Sequence, residues 1–306
     1  MQGNSGSWMT AAALALTLLA CTPARASPAC PPADWTRSEL EALKAADFQV
    51  ETDDRRAGLA LDLLDCLGSA DPVLRDGIAF EAWSTWLRAG KLDKATRSSG
   101  MELLLARIAP AAPAGEGFAA PFAALVLSEI ARTDRVAPWM APATRARLLA
   151  AGARYLESVT DYRGFDEREG WRHGVAHGAD LMLQLALNPA IDKAQLDRIF
   201  AAVASQVAPA GHAYIYGEPE RLARPLVYGA LRGLHSQDEW NAWFEAVATP
   251  GAAANWREAV GTQAGLARRH DLRAFLLAVD REIADDASPG LAALRPAVQA
   301  AIKRVP

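Results

Sequence analysis

Two histidines and an aspartate have the residue types and the spacing that metal or acid-base chemistry would need. His173, His177 and Asp180 stand in the segment GWRHGVAHGAD, residues 170–180. On an α-helix, residues three and four apart share a face, so the two imidazoles could bind one metal ion, and Asp180 could ligate it or orient His177. Because the Glu of the H-E-x-x-H zinc motif is absent, the pattern resembles only half of a known metal site.

The polar face of the helix predicted over 171–187 is narrow. With successive residues 100° apart, its polar side chains fall in a stripe roughly 80° wide, and the other positions are mostly apolar. The members of this stripe are His173, His177, Asp180, Gln184 and Asn188. A helix facing solvent would carry Lys, Glu and Arg instead. The stripe therefore indicates a confined, partly wet cleft.

Three uses of this cleft stay open at the level of the sequence. Its side chains could form hydrogen bonds to neighbouring loops and only hold the helix in place. They could bind a ligand without catalysis. They could also hold zinc, the one cofactor we consider, with a third strong ligand such as His212 or a loop acid.

The loop before this helix supplies further candidates. Asp161, Arg163 and Trp171 belong to a segment rich in charges and aromatic rings, and loops of that kind on a rigid scaffold often carry binding sites. Its clustered carboxylates would also suit acid-base work on sugars. Solvated charges are the more common use of such a cluster, so we assign only binding to this loop.

A second helix, predicted over 219–234, carries a basic stripe. Its members are Arg221, Arg224, Tyr228, Arg232 and His235. If this stripe faces the same cleft, its arginines, with Arg221 and Tyr228 as the binding candidates, could receive a carboxylate, a phosphate or an acidic peptide. The alternative is a solvated face that pairs with nearby acids such as Glu218 and Glu220.

The segment DYRGFDEREGWRHGVAHGADLMLQLALNP, residues 161–189, resembles the signature block of an uncharacterised bacterial family, domain of unknown function 2785. The similarity continues through YGEPERLARPLVYGALRG, and the family's domain would cover about residues 35–280. The resemblance implies an all-helical fold and no particular activity. Family members mostly lack an export signal, so a leader and a cysteine pair would be departures from the family pattern.

Helical periodicity runs through the whole chain and predicts the fold class. About a dozen amphipathic segments are separated by short turns that contain Pro, Gly or Asp, and no convincing alternating strand appears. We predict an all-α protein of stacked helical hairpins, either an α-solenoid of the HEAT or ARM kind or a curved α/α array. Residues 27–306 are expected to form a single domain.

The first residues have the layout of a secretory signal peptide. An apolar core over 11–20 is followed by Ala24-Arg25-Ala26, which fits signal peptidase cleavage after residue 26. We therefore predict a signal peptide over 1–26 and a periplasmic or secreted protein. The segment LLAC, which ends at Cys21, resembles a lipobox, so the alternative is a lipoprotein anchored at Cys21.

Export would leave Cys30 and Cys66 as the only thiols, and an oxidising compartment favours a disulfide between them. The net charge of −4 argues against nucleic acid as a partner. No apolar run after position 30 approaches the ~20 residues that a membrane span needs.

These observations predict an exported binding or scaffold protein that holds a small polar ligand or a peptide in the cleft around His173, His177 and Asp180. A metal-dependent hydrolase that uses the same residues is the alternative. Whether the chain is an enzyme stays open, although it contains no nucleophile elbow, Walker loop or dinucleotide fingerprint.

Overall fold

A computed structural model of the protein describes Gly3 and residues 29–109 and 116–306. The predicted apolar core of the leader, its cleavage site and Cys21 lie outside the described residues. Within 29–109 and 116–306, no helix is long and apolar enough to cross a membrane.

Helices make up most of the described chain and strands almost none of it, which confirms the all-α class. The helices are α1 (Arg37–Ala45), α2 (Asp53–Leu63), α3 (Pro72–Leu74), α4 (Glu81–Arg88), α5 (Lys94–Arg107), α6 (Ala119–Val136), α7 (Pro142–Ser158), α8 (Gly174–Ala186), α9 (Lys193–Gln206), α10 (Glu218–Ala230), α11 (Gln237–Val247), α12 (Trp256–Ala259), α13 (Gln263–Ile283) and α14 (Leu294–Arg304). Short 3-10 helices cover Leu64–Gly68 and Pro289–Leu291, and a π-helix covers Arg75–Phe80. A small antiparallel hairpin pairs β1 (Phe165–Asp166) with β2 (Gly170–Trp171).

The long helices of the second half pack in two alternating rows. α6, α8, α10 and α13 lie side by side, each in contact with the next, while α7 contacts α8 and α9. This alternation is what stacked helical hairpins require. The path of a solenoid or of a curved array stays a prediction.

Glycines allow α7 and α8 to approach closely. A Cβ on Gly178 of α8 would lie 3.0 Å from Leu156 Cδ1, and a Cβ on Gly152 of α7 would lie 2.7 Å from Leu181 Cδ2. Larger residues would have to push the two helices apart, and buried helix pairs are too tightly packed to absorb that movement.

The predicted disulfide is confirmed. Cys30 is bonded to Cys66, which joins the segment before α1 to the 3-10 helix that follows α2. Cys66 is fully buried, so the crosslink anchors the start of the described chain in the hydrophobic core.

A buried ionic network ties together the ends of three helices. Asp134, near the end of α6, accepts hydrogen bonds from Arg145 Nε (2.7 Å), from Asn188 Nδ2 (2.9 Å) and from the backbone nitrogens of Trp139 (2.9 Å) and Met140 (2.7 Å). Burial alone would raise the pKa of Asp134, but these hydrogen bonds outweigh it and lower the pKa. Asp134, as a carboxylate, therefore fixes α6, α7 and Asn188, two residues beyond the end of α8, to one another.

We expect Asp134→Ala to lower the free energy of unfolding by about 3–5 kcal/mol, because it leaves the buried Arg145 guanidinium without its counterion. Urea denaturation measures the loss. Glu102→Ala is the control, since it breaks an ion pair with Arg147 whose side chains are both half exposed, and it should cost less than about 1 kcal/mol. Equal losses in the two variants would contradict the role given to Asp134.

Candidate functional site

Helix α8 is buried along almost its whole length, and α6 and α10 flank it. The contacts join equivalent ends of these helices. His177 of α8 reaches Pro121 at the start of α6, and Gln184 reaches Arg135 at the end of α6. The helices thus run in the same direction, and the polar stripe of α8 faces its two neighbours. An open cleft at this stripe stays a prediction, and we use the name α8 cleft for the four side chains His173, His177, Asp180 and Gln184.

The predicted start of this helix at residue 171 is wrong. Arg172 N donates to Gly164 O (2.8 Å) and His173 N to Arg163 O (3.4 Å), so the hairpin pairing continues to His173. Trp171 consequently lies in β2. His173 has φ 56° and ψ 40°, and the helix begins only at Gly174. His173 is therefore the residue before the helix and adopts a left-handed conformation that a non-glycine residue rarely takes.

The imidazole of His173 is enclosed between an aromatic ring and a carboxyl group. It stacks on Trp171 with ring centroids 4.1 Å apart and planes at 10°. Its Nδ1 lies 3.7 Å from Oε1 of Glu218, the first residue of α10, and the two side chains are 11% and 4% exposed. Nδ1 is buried and has no hydrogen-bond partner among the described residues.

Burial moves both members of this pair toward their uncharged forms. It lowers the pKa of His173 to about 4, with a smaller effect from the positive charge of Arg221. It also raises the pKa of Glu218. His173 is thus a neutral imidazole at pH 7, and its contact with Glu218 is longer than a hydrogen bond.

His177 has a defined protonation state because of its partner. Its Nδ1 lies 3.2 Å from the carbonyl oxygen of Pro121, and since a carbonyl only accepts, Nδ1 carries the proton. The ring packs edge-on against Phe122, with centroids 5.1 Å apart. Burial lowers the pKa of His177 to about 3. His177 is consequently neutral, with Nε2 left as the acceptor nitrogen.

Arginines from both sides reach the other half of the α8 cleft. Arg221 of α10 donates to Asp180 Oδ1 (2.9 Å), and Arg135 of α6 donates through Nε to Gln184 Oε1 (3.2 Å). Burial raises the pKa of Asp180 to about 6, although Arg221 acts in the opposite direction. Arg221 thus faces the cleft as the basic-stripe hypothesis required. Tyr228, two turns further along α10, is 36% exposed.

The far end of that basic stripe does not belong to α10. The helix ends at Ala230 because Gly233 takes a left-handed conformation (φ 65°) and its N–H bonds back to Ala230 O, which closes the last turn. His235 therefore lies beyond the helix, where its Nε2 is 2.7 Å from Asp197 of α9. Its predicted place on the Arg221 face is wrong.

The loop candidates lie in separate arrangements. Asp161 accepts from Arg163 Nε (2.8 Å), so the two form a local ion pair. His212 stacks on Tyr162 with ring centroids 4.7 Å apart.

Asp271 of α13 is a further buried acid outside the α8 cleft. It is fully buried and accepts a hydrogen bond from the backbone nitrogen of Tyr214 (2.8 Å), and burial raises its pKa to about 6.

The proposed metal ligands have other contacts. Asp180 binds Arg221, His177 Nδ1 faces a carbonyl oxygen, and the ring centroids of His173 and His177 are 5.9 Å apart. Within 29–109 and 116–306, no group of three or more His, Cys, Asp or Glu side chains is arranged to hold a metal ion. Zinc binding at this site stays a prediction.

Two residues of the site had no assigned role at the level of the sequence. Glu218 was treated only as a surface acid, because nothing local marks the first residue of a helix as buried. Arg135 lies in the last turn of α6, outside every motif that the sequence analysis identifies. Only the packing of α6 and α10 on α8 brings these two side chains to the cleft.

Four groups with shifted pKa values have opposing effects on the pH dependence of stability between about pH 4 and pH 6. The pKa values of His173 and His177 are lowered, so the unfolded chain binds more protons there and the fold loses stability as the pH falls. The pKa values of Asp180 and Asp271 are raised to about 6, so the folded chain binds more protons there and loses stability as the pH rises. The two effects partly cancel.

We expect Asp180→Asn to remove the contribution of Asp180, which lowers stability as the pH rises. The free energy of unfolding should then rise with pH more steeply than in the wild type, by up to about 1.4 kcal/mol per pH unit between about pH 4.5 and 5.5. Urea denaturation across this range measures the slope. Asp54→Asn, at an exposed position of α2, serves as the control. An unchanged slope in Asp180→Asn would show that Asp180 does not titrate in this window.

Comparison with known proteins gives one family. The family described as Protein of unknown function (DUF2785) matches residues 114–279, more than half of the chain. The match begins later than the expected position near 35, and it contains α6, α8 and α10 with the whole α8 cleft. No curated protein and no solved structure matches. The chain therefore belongs to the DUF2785 family of proteins of unknown function.

Proposed function

We propose that this protein is an exported binding protein that holds a small polar ligand or a peptide at the His173 end of the α8 cleft. One observation carries the proposal. The buried Nδ1 of His173 faces the buried carboxyl of Glu218 at 3.7 Å and makes no hydrogen bond within 29–109 and 116–306.

His173 carries two energetic costs. A buried nitrogen without a hydrogen bond costs about 1–3 kcal/mol, and a left-handed backbone at a non-glycine residue costs about 1–2 kcal/mol. Costs of this kind concentrate at functional sites, where the surrounding structure enforces them. A ligand that hydrogen-bonds to Nδ1 would recover the first of the two.

The chemistry around His173 defines the kind of ligand. A hydroxyl or an amide group can donate a hydrogen bond to Glu218 Oε1 and accept one from an imidazole nitrogen. Trp171 and Phe165, which are 38% and 47% exposed, offer aromatic surface to the apolar part of the same ligand. Trp171 also covers His173, so entry requires the hairpin of β1 and β2 to move. Arg75 holds the turn of this hairpin, since its Nη2 donates to Glu169 O (2.6 Å), so the movement must break that hydrogen bond.

Mutation of His173 tests this proposal. The probes are free amino acids, dipeptides, monosaccharides and disaccharides, and the readout is the melting temperature. Ligand at one hundred times its Kd should stabilise the wild type by about 2.7 kcal/mol. We expect His173→Asn to abolish this gain with little loss of its own stability, because Asn tolerates the left-handed conformation.

Leu277→Ala, at an exposed position of α13, is the control and should keep the ligand response. A response retained in His173→Asn, or a wild type that none of the probes stabilises, contradicts the proposal. Zinc measured in the same purified protein, present in equimolar amount and lost in His173→Ala and His177→Ala, would favour the metal-dependent hydrolase instead.

Export is the second part of the proposal, and two features support it. The apolar core over 11–20 with Ala24-Arg25-Ala26 has the layout of a signal peptide. The disulfide between Cys30 and Cys66 is of the kind that persists in oxidising compartments. Together they favour a periplasmic or secreted protein.

The intact mass of the protein from a bacterial periplasmic fraction tests the cleavage site. We expect a chain that begins at Ser27, because the small residues Ala24 and Ala26 fit signal peptidase. An acylated chain that begins at Cys21 would instead establish the lipoprotein alternative. A full-length chain retained in the cytoplasm would contradict export.

A further inference from the structure

Two arginines near the end of α6 have no acidic partner. Arg132 and Arg135 are three residues apart, so they share a face of the helix, and both are half-buried. Every Asp and Glu of the chain lies within the residues that the structure describes. None of these acids forms an ion pair with Arg132 or Arg135 within the described residues. By contrast, the nearby acids Glu129 of α6 and Asp180 of α8 are paired with Arg88 and Arg221.

The side-chain nitrogens of Arg135 and Gln184 that remain without a partner are hydrogen-bond donors. Its Nε donates to Gln184 Oε1 (3.2 Å), which orients the Gln184 amide. The two Nη atoms of Arg135 and the NH2 group of Gln184 form no hydrogen bond within 29–109 and 116–306. These groups can only donate, so what completes this arrangement must supply acceptor atoms.

The negative end of the α6 dipole can stabilise one of the two positive charges at most. The carbonyl groups of a C-terminal turn favour a cation, by about 0.3–1 kcal/mol. Against this, burial and the charge of Arg132 both lower the pKa of Arg135. The helix end therefore does not neutralise the second guanidinium, and it provides no partner for the free N–H groups of Arg135 and Gln184.

We propose that Arg132, Arg135 and Gln184 form a binding site for an oxyanion, a carboxylate or phosphate group of a ligand. A guanidinium presents two parallel N–H donors that match two oxygen atoms of either group, and the Gln184 amide adds a third donor. This site is separate from the His173 end of the α8 cleft, because Gln184 lies eleven residues further along the chain, roughly 16 Å along the axis of α8. It does not depend on the function proposed above.

Titration of the full chain with inorganic phosphate and with succinate tests the site. Chloride keeps the ionic strength constant, and calorimetry and the melting temperature report binding. Stabilisation by phosphate alone supports a phosphate-bearing ligand, and stabilisation by succinate alone supports a carboxylate. If neither anion exceeds chloride, the proposal is overturned.

Two variants make the test specific. Arg135→Gln should weaken anion binding at least about tenfold, since a hydrogen bond to a charged group is lost. Gln184→Glu supplies a carboxylate from within the chain. It should raise the melting temperature in anion-free buffer by about 2–4 °C and abolish the anion response, because the site is then already neutralised.

Arg147→Gln is the matched control. Arg147 forms an ion pair with Glu102 in which both side chains are 53% exposed, so its loss should leave anion binding unchanged. Equal weakening in Arg135→Gln and Arg147→Gln would show general charge screening and would overturn the site. An anion response that persists in Gln184→Glu would do the same.

Discussion

The burial of α8 is the constraint on which the rest of the structure depends. A helix enclosed on almost every side cannot leave polar groups to water, because each unsatisfied buried group costs free energy. Its polar side chains are therefore met by neighbouring helices: His177 by the carbonyl of Pro121, Asp180 by Arg221 and Gln184 by Arg135. These contacts set how α6 and α10 lie against α8, and Asp134 fixes the far end of the same arrangement.

His173 is the exception, and its position explains why. It lies where the hairpin of β1 and β2 ends and the helix begins, so its backbone is held by hydrogen bonds to Arg163 on one side and from His177 N on the other. The left-handed turn directs the imidazole under Trp171 and toward Glu218. A regular helical position would have neither the strain nor the unmatched nitrogen. The ligand site proposed above therefore rests on this irregular junction.

The sequence predicted the features that depend on the spacing of residues within a single helix. The helical class and the polar stripe of α8 follow from a period of 3.6 residues, which each segment carries by itself. The contact of Asp180 with Arg221 was one of two alternatives that the sequence left open. The start of α8 was wrong because pairing of the chain with Arg163 and Gly164 competes with the helix, and that pairing is not periodic. Glu218 and Arg135 were missed for a different reason. Their roles arise only when separate helices pack together, which no local pattern encodes.

The electrostatic character of the α8 cleft changes along its length. At the His173 end, burial lowers the pKa of both imidazoles and raises the pKa of Glu218, so neither histidine adds a positive charge there at pH 7. At the other end, Gln184 offers Arg135 a neutral partner and the positive charge stays uncompensated. The two ends are separated by roughly 16 Å of helix, which is longer than a small molecule can bridge. If both proposed sites are correct, a ligand that reaches from one to the other must be extended, such as a peptide of about five residues with its acidic end at Arg135.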